Sequence, residues 1–75
     1  MDKAQFMDEL ANILDESRVD DSLCLKNNQA WDSLAILSVA SLAASKFGFS
    51  LHAVDVKGLD TVADLWAFFE KNRTK

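Results

Sequence analysis

The segment AWDSLAILSVASLAASKFGF, residues 30–49, decides how this chain is read. Asp32 and Ser33 are helix-opening residue types, because their side-chain oxygens accept hydrogen bonds from the free amides of a first turn. Gly48 stands where a helix stop calls for a left-handed residue, so the segment predicts a helix from Asp32–Ser33 to about Phe47. Advancing about 100° per residue gathers Ile36, Val39, Leu42, Ala43 and Phe47 on one side, the side expected to face the core. The other side carries Leu34, Leu37, Ser38, Ser41, Ala44 and Ser45. Twelve consecutive residues, Leu34 to Ser45, hold no charge. Surface helices ordinarily place charged residues opposite their apolar stripe, so a smooth, uncharged outer face behind a serine asks for a use.

The 75 residues allow one domain, 1–75, with a thin core and little room for a deep catalytic cleft. Hydrophobic residues make up 49 % and proline is absent, which argues for an ordered, mostly helical body. Cys24 is the single cysteine and His52 the single histidine, so neither an internal disulfide nor a His/Cys metal set can form. Cys24 reads as a partly buried loop thiol and His52 as a solvent-facing or helix-end residue. The net charge of −4 is unevenly spread: residues 1–21 hold seven acids and two bases, residues 22–59 two and three. No basic stripe is present to displace counterions from phosphates, so nucleic acid is not the expected partner. Met1 is followed by Asp2 and Lys3 with no apolar signal core, and no apolar run has the length of a membrane span. A cytoplasmic location, no membrane insertion and a monomeric state are the expectations.

Working outward, Phe6, Leu10, Ile13 and Leu14 recur at helical spacing and predict a first helix from about Lys3 to Ser17. VDDSLCLKNNQ then reads as a long loop pinned at Leu23 and Leu25. In FSLHAVDVKGL the alternation of Phe49, Leu51, Val54 and Val56 also suits a strand, but no second strand exists to pair with it. Residues 52–57 are therefore expected to form a short helical turn closed by Gly58. Thr61 and Asp64 have the spacing of a capping box for a last helix carrying Val62, Leu65, Trp66 and Phe69, with KNRTK fraying beyond it.

Ser33 by itself reads as an ordinary N-cap. A nucleophilic serine needs a base and an oxyanion hole; nothing orients His52, and no G-x-S-x-G elbow is present. A helix N-terminus does, however, suit a permanently attached phosphodiester.

Asp32-Ser33-Leu34 opening a helix, the exit Phe47-Gly48-Phe49 with Leu51, and GLDTVADL (58–65) together resemble an acyl carrier protein, over the whole chain. The resemblance implies an all-α four-helix bundle of three main helices and one short one, which carries acyl groups and is not itself an enzyme. It implies that Ser33 bears 4′-phosphopantetheine, taken from coenzyme A by a separate phosphopantetheinyl transferase. Acyl-loading and acyl-accepting enzymes would then meet a thioester on that arm, as in fatty-acid or polyketide biosynthesis. Asp32 matches the acid before the attachment serine and Leu34 the apolar residue after it. Val39, Ala43, Val56, Leu59 and Leu65 are candidates to shelter an acyl chain. Members serving fatty-acid synthesis typically carry several acids on the serine-headed helix; this chain has none from Ser33 to Ser45, which favours a specialised pathway. Partners are then expected on Leu34, Leu37, Ser38 and Ser41 through shape and apolar contact. Trp31 is expected to support the core. Two alternatives stay open. One is an aminoacyl or peptidyl carrier, although the doubled glycine often preceding the serine is replaced by Ala30 and Trp31. The other is a helical interaction module in which Ser33 is only a cap.

Overall fold

In the computed structural model, which describes residues 1–74, the chain forms helices α1 (Lys3–Leu14), α2 (Ser33–Leu42), α3 (Ala53–Val56) and α4 (Val62–Asn72). No strand occurs among the described residues, only an isolated antiparallel bridge between Cys24 and Thr61. The radius of gyration is 11.0 Å, matching the roughly 11 Å of a compact domain of this size. The all-α reading therefore holds, and residues 52–57 resolve as helix rather than strand.

Each helix start is fixed by a side chain. Asp2 accepts from the Gln5 amide at 2.9 Å while the Gln5 side chain accepts from the Asp2 amide at 3.1 Å, so both orphan donors are satisfied. Thr61 and Asp64 repeat the arrangement at the head of α4, each bond 3.3 Å long. At α3, Asp55 accepts from the His52 amide at 3.1 Å, which places the exposed His52 at a helix end as expected.

α1 ends at Leu14, three residues before the expected Ser17. Asp15 adopts the left-handed conformation (φ 56°, ψ 42°), and the Glu16 amide turns back to the Ala11 carbonyl at 2.9 Å. A left-handed aspartate ends a helix as glycine does, but nothing in the sequence marks it.

α2 begins at Ser33 and its continuation stops at Gly48 (φ 74°, ψ 24°), close to the expected limits. Its inward face differs. Ala35, Val39, Ala43 and Phe47 are buried, whereas Ile36 and Leu42 are only half-buried. A spacing of four drifts about 40° per step on an α-helix. The segment Ala43–Phe47 is a π-helical turn, whose extra residue compensates that drift and brings Phe47 onto the core side.

Phe6, Phe47 and Phe69 meet there from three elements. The ring of Phe47 stands edge-on to Phe69 (4.8 Å, 90°) and to Phe6 (6.0 Å, 85°), while Phe6 and Phe69 are 4.9 Å apart. Such pairs add about 0.5–1.5 kcal/mol each beyond burial. Leu10, Leu14, Leu25, Val39, Val62 and Leu65 are buried around them. Ile13, assigned to the α1 stripe, is half-buried at its edge.

The residue 15–32 loop is held at both expected anchors: Leu25 is fully buried and Leu23 half-buried, joined by the buried Val19. Three backbone bonds fasten it to the head of α4: Leu25 to Asp60 at 2.8 Å, Val62 to Leu23 at 3.0 Å and Ala63 to Asp21 at 3.1 Å. Cys24 lies half-buried within this seam. The expected fraying of KNRTK is corrected for Lys71–Thr74. Lys71 and Asn72 are helical, the Arg73 guanidinium lies 4.9 Å from the centroid of Phe47, and Thr74 donates to the Phe47 carbonyl at 2.8 Å. The Thr74 hydroxyl donates to the Gly48 carbonyl at 2.8 Å, so the tail closes over carbonyls that the π-helical exit leaves open. Lys75 lies outside the described residues.

Candidate functional site

Asp32 and Ser33 divide their roles at the mouth of α2. Asp32 is extended (φ −112°, ψ −171°), and its carboxylate accepts from the Ala35 amide at 3.0 Å while its carbonyl accepts from the Ile36 amide at 3.0 Å. Asp32 is therefore the cap. The alternative that made Ser33 the N-cap is corrected: Ser33 is the first residue inside the helix, exposed, and its hydroxyl has no hydrogen-bond partner among the described residues. The backbone amides of Ser33 and Leu34 also lack an acceptor among the described residues, as first-turn amides do. A free hydroxyl thus sits beside two free N–H groups at the positive end of the helix.

Ser33 opens onto a groove of about 260 Å³, whose walls are Ile36, Leu37 and Ala40 of α2 with Leu51 and Ala53 from the approach to and start of α3. Ile36 and Ala53 also border a second groove of about 230 Å³, where Trp31, Val56 and Leu59 form the apolar wall and Lys26 and Lys57 stand alongside. The two grooves share Ile36 and Ala53 as walls and are together called the trough between α2 and α3; Ser33 lines the first groove and not the second. The apolar character of the trough reflects the brevity of α3: four residues bury Val56 but cannot cover Ile36.

Of the residues expected to shelter an acyl chain, Val56 and Leu59 line this trough. Val39, Ala43 and Leu65 do not; each is fully buried in close-packed core. Trp31 packs against the core as expected and also lines the second groove.

The outer face of α2 is as the spacing predicts. Leu34, Leu37, Ser38, Ser41, Ala44 and Ser45 are all exposed, Leu34 to 73 % and Leu37 to 66 %. The Ser38 hydroxyl donates to the Leu34 carbonyl at 3.0 Å and that of Ser45 to the Ser41 carbonyl at 2.9 Å. These serines spend their donors on their own helix, which makes the face less polar than its composition suggests. Val54 on α3 is a further exposed large apolar residue, at 72 %. Sequence reasoning missed Val54, Ile36 and Ala53 as site residues. Val54 and Val56 are two residues apart, and a single helical turn sends one inward and the other out.

No group of three or more His, Cys, Asp or Glu side chains that could hold a metal ion occurs among the described residues, and no helix is long and apolar enough to cross a membrane. Comparison of the chain with protein-family models, with curated proteins and with solved structures returned no match.

Proposed function

We propose that the chain is an acyl carrier whose Ser33 is the attachment point for 4′-phosphopantetheine. The observation that carries this reading is the pairing of an unbonded, exposed Ser33 hydroxyl with Asp32, which takes over the capping task. A serine needed for helix capping would be engaged; this one is available to a transferase. In the attachment step the Ser33 Oγ–phosphorus bond forms as the phosphate bond to the nucleotide half of coenzyme A breaks. The hydroxyl proton passes to a base of the phosphopantetheinyl transferase.

The residues present fit the group. The free Ser33 and Leu34 amides favour a phosphodiester at the helix mouth, and the trough beside Ser33 offers apolar walls to whatever follows it. When bound, the group supplies a thiol that carries the acyl cargo as a thioester. The chain contributes attachment, shelter and a docking face formed by Leu34, Leu37, Ser38 and Ser41, to which Val54 belongs by exposure. Acyl-loading and acyl-accepting enzymes then meet a neutral, apolar surface, which suits a specialised acyl pathway; the reading takes the chain as a cytoplasmic, monomeric carrier without enzymatic activity of its own.

The test is to incubate the protein with coenzyme A and a promiscuous phosphopantetheinyl transferase and weigh the intact chain. One added phosphopantetheine, absent in Ser33→Ala, supports the carrier; no gain supports the second reading, a helical interaction module. That reading is favoured by the exposed Leu34, Leu37 and Val54, which would serve a docking protein equally well.

A further inference from the structure

Asn28, in the loop that leads into α2, is tied through its amide, its carbonyl and its side chain. The amide donates to the Leu25 carbonyl at 3.1 Å, the carbonyl accepts from the Trp31 amide at 3.0 Å, and the side-chain oxygen accepts from the Ala30 amide at 2.8 Å. Two successive turns, 25–28 and 28–31, therefore share this residue. The first starts from Leu25, which is fully buried and donates its amide to the Asp60 carbonyl at 2.8 Å. The second ends on Trp31, packed against the core. An asparagine side chain that closes on the amide two residues ahead imitates a backbone turn and fixes the direction of the chain. Its neighbour Asn27 is exposed and makes no hydrogen bond among the described residues.

The direction matters because two caps compete at the mouth of α2. Aspartate and serine are about equally good N-caps. With Asp32 extended, its carboxylate takes the Ala35 amide and its carbonyl the Ile36 amide. With Ser33 extended instead, the helix would start one residue later, the serine hydroxyl would take the Ile36 amide, and the Ala35 amide would lose its acceptor. Side-chain preference does not separate these registers; the path by which the chain arrives does. Trp31, held at the end of the second turn, leaves Asp32 alone to make the extended step into the helix.

We propose that Asn28 is a positioning residue for Ser33: its side-chain turn selects the register in which Asp32 caps α2 and the serine hydroxyl stays free for modification. The inference rests on the carrier reading of Ser33 and adds to that site a residue outside α2. Molecules in the other register withhold the hydroxyl. A transferase that needs it free then binds with an apparent affinity reduced by the free fraction, while turnover at saturation is unchanged.

The experiment uses the full chain as wild type, Asn28→Ala, Asn28→Gln, Asn28→Asp and Asn27→Ala, with coenzyme A and a promiscuous phosphopantetheinyl transferase. Initial rates over a range of carrier concentrations, at a temperature where circular dichroism shows each variant folded, give KM and kcat separately. NMR of the unmodified chains gives the Ser33 Cα and Cβ shifts, which report whether that residue is helical or extended, and the exchange rate of the Ala35 amide. For Asn28→Ala the expected result is a KM about fivefold or more above wild type with kcat within about twofold. The Ser33 shifts should move toward extended values and the Ala35 amide should exchange faster. Asn28→Gln, whose oxygen lies one methylene too far out to close the turn, should do the same and covers an alanine variant that does not fold. Asn28→Asp keeps an acceptor in place and should match wild type in every readout, as should Asn27→Ala. A loss of stability alone would leave the Ser33 shifts of the folded chain where they are. Unchanged KM and Ser33 shifts in Asn28→Ala and Asn28→Gln, or no rescue by aspartate, overturn the inference and leave the carrier intact. Failure of the wild type to load Ser33 at all overturns both.

Discussion

Replacing Asp32 and Ser33 one at a time separates support from chemistry at the mouth of α2. Asp32→Ala removes the 3.0 Å bond to the Ala35 amide and leaves that donor to water. Loss of such a cap costs about 1 kcal/mol, and removal of a carboxylate from a helix N-terminus about 0.3–1 kcal/mol more. For a domain of this size each kcal/mol lowers the midpoint by about 4–8 °C, so Asp32→Ala should melt about 5–15 °C below wild type. Ser33→Ala removes no hydrogen bond and places a better helix former at an exposed position, so its stability should stay within about 0.5 kcal/mol of wild type. Thermal melts followed by far-ultraviolet circular dichroism measure both. Intact mass after prolonged incubation with coenzyme A and excess transferase supplies the second axis. Asp32→Ala should be unstable yet modified, Ser33→Ala stable yet unmodified. If Ser33→Ala melted as low as Asp32→Ala, the hydroxyl would be part of the scaffold and the assignment of roles would be wrong.

The two glycines should respond with opposite sign. Gly48→Ala puts a side chain at φ 74° and should cost about 1–2 kcal/mol, whereas at Gly58, where an added methyl meets nothing within 4 Å, alanine should stabilise by about 0.4–1 kcal/mol; urea titration reads both. Phe47→Ala, at the meeting point of three aromatic rings, should cost about 3–5 kcal/mol. That is a large share of the roughly 4–11 kcal/mol expected for 75 residues, so its urea midpoint should fall by about a quarter or more. The Ser22 hydroxyl holds the Asp20 carboxyl below its ordinary 3.8, so its contribution is complete above that value and disappears as pH falls through the lower folded pKa. The Asp60 contact holds Lys26 above its ordinary 10.5, so its contribution is complete below that value and disappears as pH rises through the higher folded pKa. In melts across pH, Asp20→Asn should flatten the acid limb and Lys26→Met the alkaline one, both modestly because these groups are exposed. Leu37→Glu should weaken binding of a loading or accepting enzyme about tenfold or more, while wild-type affinity changes little between low and moderate salt; a steep salt dependence would show that charge carries the docking.

What the sequence made legible was set by period and by local chemistry. The outer face of α2 could be drawn from Leu34 to Ser45 because exposure there follows from angle alone. The α4 start was legible because Thr61 and Asp64 satisfy each other three residues apart. The inward face of α2 was not. Choosing Ile36 over Ala35 follows from hydrophobicity, yet Ala35 is buried because the chain keeps a spacing of four into a π-helical turn that no residue type announces. The end of α1 was hidden for a similar reason, since Asp15 takes a conformation that its sequence neighbours do not encode.

Asp32 and Ser33 are adjacent, and either residue type caps helices, so their division of labour could not be read from composition. It is decided by which residue stays extended, and that depends on the loop. The Asn28 side chain accepts from the Ala30 amide at 2.8 Å and the Asn28 carbonyl from the Trp31 amide at 3.0 Å, a turn that sets the entry to α2. With the turn placed there, Asp32 is the last residue outside the helix and Ser33 is left free. The same economy explains the trough. Fully burying a leucine or valine contributes about 1.5–3 kcal/mol, yet Leu34, Leu37 and Val54, the large apolar side chains left exposed among the described residues, all belong to α2, which Ser33 opens, and to α3, whose Ala53 lines the groove at Ser33. A fold indifferent to this surface would scatter such residues. Here the unrealised burial falls on two helices only, with Leu34 next to Ser33 in the chain and Leu37 in the groove at Ser33, the distribution expected if another molecule completes the contact.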